Sequence, residues 1–390
     1  MHVARRGTRG TALGCALLLC TALAAGLTAG PAAAVPDADP PPGALVAATA
    51  AATGAGDAAT EALAETAAGS MVELGRVAAD VEVPGPKKPK PPAVLAHSRW
   101  SWQGWSSGAA GAEAENGSFA TWRGEPLGVV GVWCDTSAQE QQDLSAVATY
   151  NGFHGDLDVA VGGLVTGETW QQAAAGDFVD RWTTSVRNLR AMRQGKGVTY
   201  IRFAHEMNGD WFAWSVTSAT LASYKTAYRL YASIVRKEFP EARLTWSPNG
   251  GNHADATADQ MYPGDDVVDV IGPDIYDGYP EATTAAAFNE ASAMWSDSAT
   301  PRGLAAWQAY AARKGKPIAL PEWGLPYGDH PEFIKGVHAV VAAHAATAGS
   351  SMNAGRFVYD VYYNVEDKFK IYNGQLVQAG AAYKALTWGS

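Results

Sequence analysis

From about residue 95 onward, short β-branched or aromatic runs alternate with longer stretches whose apolar residues recur at steps of three and four. This alternation restricts the fold most, because strands separated by amphipathic helices pair in parallel, with the helices outside the sheet. Eight strands are expected: Arg99 to Trp105, Leu127 to Cys134, Leu157 to Leu164, Val198 to Phe203, Arg243 to Trp246, Val267 to Ile275, Pro317 to Leu320, and Phe357 to Tyr363. The first also fits a surface loop, since Trp100, Trp102 and Trp105 lie among Ser, Gln and Gly. Between strands, Phe178, Trp182, Val186, Leu189 and Met192 form one helical stripe. Leu221, Tyr224, Tyr228, Tyr231 and Val235 form a second, and Phe333, Val337, Val340 and Val341 a third. Eight such units predict an α/β chain folded as one (β/α)8 TIM barrel over residues 96–390. A doubly wound dinucleotide fold is disfavoured, because no glycine-rich phosphate turn follows the first strand.

The first quarter cannot build a comparable core, because all 14 Trp, 15 Tyr and 10 Phe lie beyond residue 99. Arg5, Arg6 and Arg9 precede an apolar run from Leu13 to Leu27 and then Ala32 to Ala34, so residues 1–34 are expected to be a secretory signal peptide. The run is short and broken by Gly and Thr, which argues against a membrane anchor. Adjacent Arg5 and Arg6 leave general and twin-arginine export both open. Residues 35–95 read as a disordered Ala/Gly/Pro-rich linker, whose Lys87, Lys88 and Lys90 either touch an acidic cell wall or are simply solvated. Removing the signal takes Cys15 and Cys20, leaving Cys134 with no intrachain disulfide partner. It also takes three arginines and no acid, moving the formal charge from −10 to −13. An acidic secreted monomer is expected, binding neither nucleic acid nor membrane.

The densest chemistry lies where the fourth strand ends, in Ile201-Arg-Phe-Ala-His-Glu-Met-Asn-Gly-Asp-Trp-Phe-Ala-Trp214. A carboxyl group flanked by indoles suits sugar cleavage: the acid protonates a glycosidic oxygen, and flat rings stack on pyranose faces. That reaction needs a second carboxylate, and barrel strands deliver theirs to one common face. Glu322 ends the seventh strand in Pro317-Ile-Ala-Leu-Pro-Glu-Trp-Gly324, three units on and across the barrel mouth. About 5 to 5.5 Å between carboxyls serves retention and about 6.5 to 9.5 Å inversion, a distance to be read from the structure. Arg202 either orients the nucleophile or forms a buried ion pair. Trp246 and Asn249 end the fifth strand and are cleft candidates, Trp246 equally a core one. Trp133 and Trp323 are platforms or packing, and Tyr362 or Tyr363 points into the cleft. A zinc-protease helix is excluded because Gly209 replaces the second His of HExxH, and His253, His330, His338 and His344 lack ligand spacing. Neither metal nor cofactor is expected.

The His205-Glu-Met-Asn-Gly-x-Trp211 segment on strand four, with a Glu ending strand seven, resembles glycoside hydrolase family 26, a retaining clan-A family best known for β-mannanases. The resemblance covers most of residues 95–390. It implies Glu206 as general acid/base and Glu322 as nucleophile. It further implies that His205 binds sugar or holds the acid, that Trp211 stands near the scissile bond, and that Tyr276 hydrogen-bonds the nucleophile. The implied activity is endo-hydrolysis of a β-linked polysaccharide, β-1,4-mannan first. Phe212-Ala213 replaces the family's frequent Tyr-Pro, Trp323 follows the nucleophile directly, and Val161-Gly162-Gly163-Leu164 lacks an aromatic platform. Those departures keep β-1,3-1,4-glucan and β-1,3-xylan open as substrates, and a non-catalytic carbohydrate-binding role as the reading from another class.

Overall fold

The computed structural model describes residues 100–389 apart from 252–254, 279 and 298. The expected signal peptide and linker lie outside the described residues. Eight strand positions close a parallel barrel: β1 Ser106–Ala110, β2 Val129–Cys134, β3 Asp156–Val161, β4 Thr199–Phe203, β5 Arg243–Trp246, β6 in two pieces (Val270–Ile271 and Ile275–Tyr276), β7 Ile318–Gly324 and β8 Phe357–Tyr363. Each strand pairs with its sequence neighbour, and β8 pairs with both β7 and β1 to complete the ring. A small antiparallel pair, Trp295–Asp297 with Thr300–Pro301, stands outside it. Among the described residues no helix is long and apolar enough to cross a membrane.

Side chains alternate between two cores, as a period of two requires. Ala110, Val129, Tyr200, Val270, Ala319, Tyr359 and Val361 form an inner cluster. Val130, Val132, Leu157, Val159, Ile201, Phe203, Leu244 and Ile318 belong to the larger shell beneath the helices. The three expected stripes fall on Val179–Arg193, Leu221–Glu238 and Pro331–Ala343. Trp182, Val186 and Leu189 are buried there, as are Tyr224, Tyr228, Tyr231 and Val235, and Phe333, Val337 and Val341.

The first strand departs from expectation. It is the small-residue run Ser-Ser-Gly-Ala-Ala at 106–110, whereas the tryptophan-rich segment before it has no regular structure. Trp100 and Trp102 floor the barrel instead. The Arg243 guanidinium lies 3.2 Å from the Trp100 ring centroid, and Trp100 Nε1 donates to Asp269. Trp102 is buried in the inner cluster.

At Gly108 on β1 the neighbouring backbone is too close for any side chain. A Cβ at Gly108 would stand 1.6 Å from the Val129 carbonyl oxygen. Gly108→Ala is therefore expected to cost about 3 kcal/mol or more, the upper range for overpacking, measured by denaturant unfolding.

Candidate active site

The C-terminal ends of β2 to β8 bring the ionisable groups together around one guanidinium. Arg202 is fully buried, its Nε 2.8 Å from Asp158 and its Nη1 3.2 Å from Asp274 and 3.6 Å from Glu322. Asp158 also accepts from Tyr359 at 2.7 Å, and Asp274 from Ser247 at 3.3 Å. Burial alone would lower the Arg202 pKa, but these carboxylates more than offset it. Arg202 is thus at once a buried ion-pair partner and a neighbour of Glu322.

Glu206 is presented by a left-handed turn after β4. Ala204 and Glu206 have φ of 53° and 49°, a region non-glycine residues enter only when the surroundings compel it. Here the Glu206 amide donates to the Ser247 carbonyl at 2.6 Å, and Trp214 Nε1 donates to the His205 carbonyl at 2.7 Å. Asn208 joins this loop to the one after β5, donating to the Asn249 and Gly251 carbonyls and accepting from the Asn249 amide. Asn249 so held donates to Glu206 Oε1 at 2.6 Å, while Trp211 Nε1 donates to Oε2 at 3.0 Å.

Glu322 is aimed inward by a register slip between Leu320 and Trp323 on β7. Trp133 Nε1 donates to its Oε2 at 3.1 Å, and Tyr276 donates a short hydrogen bond to its Oε1. One carboxylate oxygen from each of Glu206, Asp274 and Glu322 lies within 4.8 Å of the other two. These groups open onto a cleft of about 510 Å³, lined by Glu206, Trp211, Asn249, Tyr276, Glu322 and Phe369 among others.

Electrostatics separates the two glutamates. Burial and the charge of Glu322 push the Glu206 carboxyl up to about 7, against the smaller pull of Asn249 and Trp211. Burial raises Glu322 as well, but Arg202, Tyr276 and Trp133 all favour its anion. Glu206, with only neutral donors, is therefore the group that keeps a proton near neutrality. Asp135, which ends β2, is pushed up to about 7 by burial, with Arg202 opposing. His205 is buried between Phe212 and Trp214, its Nε2 3.7 Å from Asp135, and burial with Arg202 nearby keeps the ring neutral.

Of the residues expected at the site, Glu206, Glu322, Arg202, Tyr276, Trp211, Asn249 and Trp133 converge, with His205 behind them. Trp246, Trp323 and Tyr362 do not belong to the cleft. Each sits on the strand face opposite the inward residues, since Thr245, Glu322 and Tyr363 point in. Trp246 bonds Tyr224 and packs against Trp307, Trp323 bonds Asp360, and Tyr362 bonds the Phe369 carbonyl. Tyr363 takes the cleft position, edge-on to Trp133 at 5.4 Å. Asp135, Asp158, Asp274 and Asn208 were not singled out. An acid at an inward position among apolar strand residues is the signal that would have found Asp158.

Residues 171–302 match the family model described as Glycosyl hydrolase family 26. The matched span holds Glu206, Asn249 and Tyr276. Over about a third of its length this chain is thus similar to glycosyl hydrolase family 26. A mannan endo-1,4-beta-mannosidase from Bifidobacterium adolescentis is 34% identical over 124 residues, which is 31% of this chain and 12% of that relative. The match thus spans about an eighth of the relative's length. Among solved structures, GH26C from a Muricauda species is similar with a TM-score of 0.50 at 15% identity, covering 73% of this chain and 86% of that one. This likeness concerns the barrel fold alone. A modular endo-beta-1,4-mannanase from Cellulomonas fimi has a TM-score of 0.49 at 18% identity, covering 73% and 71%. Glu322 lies outside the matched span, so its place in the site rests on geometry.

The raised Glu206 pKa has a sign that can be tested. Below the unfolded value of about 4.5 the carboxyl is protonated in both states, and its contribution to stability is complete. As pH rises the unfolded chain ionises first, so that contribution is lost up to about 7. Thermal midpoints of wild type and Glu206→Gln should therefore diverge between pH 4.5 and 7.5 in favour of the variant, and a constant gap would refute the assignment.

Proposed function

We propose that this chain is a retaining endo-β-glycosidase acting on a β-linked polysaccharide, with β-1,4-mannan first. One observation carries the reading: the Glu206 and Glu322 oxygens lie within 4.8 Å, close to the separation used for retention and short of the room an inverting enzyme needs for water. Glu206, protonated, donates to the leaving glycosidic oxygen while Glu322 attacks the anomeric carbon, and the C–O bond breaks as the glycosyl–Glu322 ester forms. Esterification removes the Glu322 charge that had raised Glu206. Glu206 then ionises readily and takes a proton from the water that releases the sugar with its original configuration. Tyr276, Trp133 and Arg202 hold Glu322 as an anion aimed at the sugar.

The preference for mannan follows the family and the Bifidobacterium relative; β-1,3-1,4-glucan and β-1,3-xylan share the required chemistry. A purely carbohydrate-binding role gives no reason to bury two acids so close together, with one kept protonated. Export, with the linker against a cell wall or free in solvent, is proposed from the N-terminal sequence.

Reducing-sugar release from a panel of polysaccharides tests the function, and binding without release would favour the lectin reading. Activity should fall as pH rises through about 7, where Glu206 loses its proton. Glu206→Ala is expected to lower turnover roughly 10²- to 10⁴-fold. With an activated aryl glycoside and azide, Glu206→Ala should yield the β-glycosyl azide, because azide attacks the α-linked glycosyl-enzyme. Glu322→Ala should yield the α-azide by direct displacement. The opposite pairing of variants and products would reverse the two roles.

A further inference from the structure

Glu113, on the short helix Ala112–Glu115 after β1, is a buried carboxylate that the mechanism above does not use. Its Oε1 accepts from Lys370 Nζ at 2.9 Å and Asn373 Nδ2 at 3.2 Å, and its Oε2 from Asn364 Nδ2 at 3.2 Å. All three partners belong to the segment that follows β8. Asn364 in turn accepts from the amides of Ile371 and Tyr372 at 3.1 and 3.3 Å, folding that segment back on itself. Two glycines let neighbouring backbone close around it. A Cβ at Gly111 would stand 2.4 Å from the Asn364 carbonyl oxygen, and one at Gly380 would stand 2.2 Å from that of Ile371.

The clasped segment carries Phe369 to the cleft. Its ring packs 5.3 Å from Tyr276 and 5.0 Å from Tyr363, and its carbonyl accepts from Tyr362 at 2.7 Å. Tyr276 is the donor to Glu322. A continuous set of contacts thus runs from Glu113 through residues 364–373 and Phe369 to the side chain that holds the second carboxylate.

We propose that Glu113 is a positioning residue for the glycosidase site, clasping residues 364–373 so that Phe369 backs Tyr276 against Glu322. This rests on the proposed function. The partners are polar and specific: a carboxylate takes one ammonium and two amide donors at once, and neither Gln nor an apolar residue can do so. Displacement of a catalytic group by about 1 Å is enough to cost about 10²-fold, so a loosened wall behind Tyr276 should register in the chemistry.

The test compares Glu113→Gln and Lys370→Met with wild type in the full chain, using the polysaccharide that wild type cleaves. The expected results are a fall in kcat/KM on the order of tenfold and an acid limb of the pH profile moved to higher pH, because Glu322 loses part of its stabilising hydrogen bond. Lys370→Arg should restore both, and Phe369→Ala should reproduce the shifted limb. Folded Glu113→Gln or Lys370→Met with wild-type kcat/KM and an unmoved limb overturns the proposal. Amide hydrogen exchange at Ile371 and Tyr372 reads the clasp without any substrate and should quicken on the order of tenfold in either variant. Unchanged exchange overturns the clasp itself, whereas faster exchange in a chain whose wild type cleaves no polysaccharide overturns the glycosidase reading alone.

Discussion

The Arg202 guanidinium is the charge on which this barrel's mouth depends. A buried cation is tolerated only when paired and hydrogen-bonded, and Asp158 and Asp274 perform that service inside the barrel. One positive charge cannot neutralise them together with Glu322, Glu206 and Asp135. Burial therefore raises the acids around it, Asp274 among them although Arg202 opposes the shift, and pushes Glu206 and Asp135 up to about 7. A poised Glu206 beside Glu322 follows from burial first and from the neighbouring charge second, while Arg202, Tyr276 and Trp133 favour the Glu322 anion.

Placing those groups requires departures from regular backbone. Ala204 and Glu206 turn left-handed where β4 ends, and β7 slips register just before Glu322. Both departures lie at the site and are held by hydrogen bonds from neighbouring strands, so the strain is sustained by the surrounding barrel. Asn208 shows how economically this is done: one amide side chain ties two loops and thereby orients Asn249 on Glu206.

Much of this was legible in the sequence, and the failures have physical causes. Seven strands were expected within a few residues of their places, because β-branched runs between amphipathic helices leave few alternatives. The first was missed because Ser106–Ala110 lacks the β-branched and aromatic residues that mark a strand, one of its positions being Gly108, where the Val129 carbonyl leaves no room for a side chain. At the site, the acids and their donors were visible as unusual residues at strand ends. Trp246 and Trp323 stayed open between cleft and core because residue type does not reveal side-chain direction, whereas parity does: a residue adjacent to an inward Thr245 or Tyr363 must point out, and the inward aim of Glu322 turns Trp323 outward likewise. The supporting acids Asp158 and Asp274 were hidden by their apolar neighbours.

The tryptophans that precede β1 have a consequence for where this domain begins. A chain that started at the first strand would retain every group in the cleft and yet leave Arg243 without its aromatic cover and the inner cluster without Trp102. Water would then reach the barrel interior from the pole opposite the cleft, toward Tyr200, Tyr359 and the ion pair above them. The smallest functional unit is thus set by the seal at its far end.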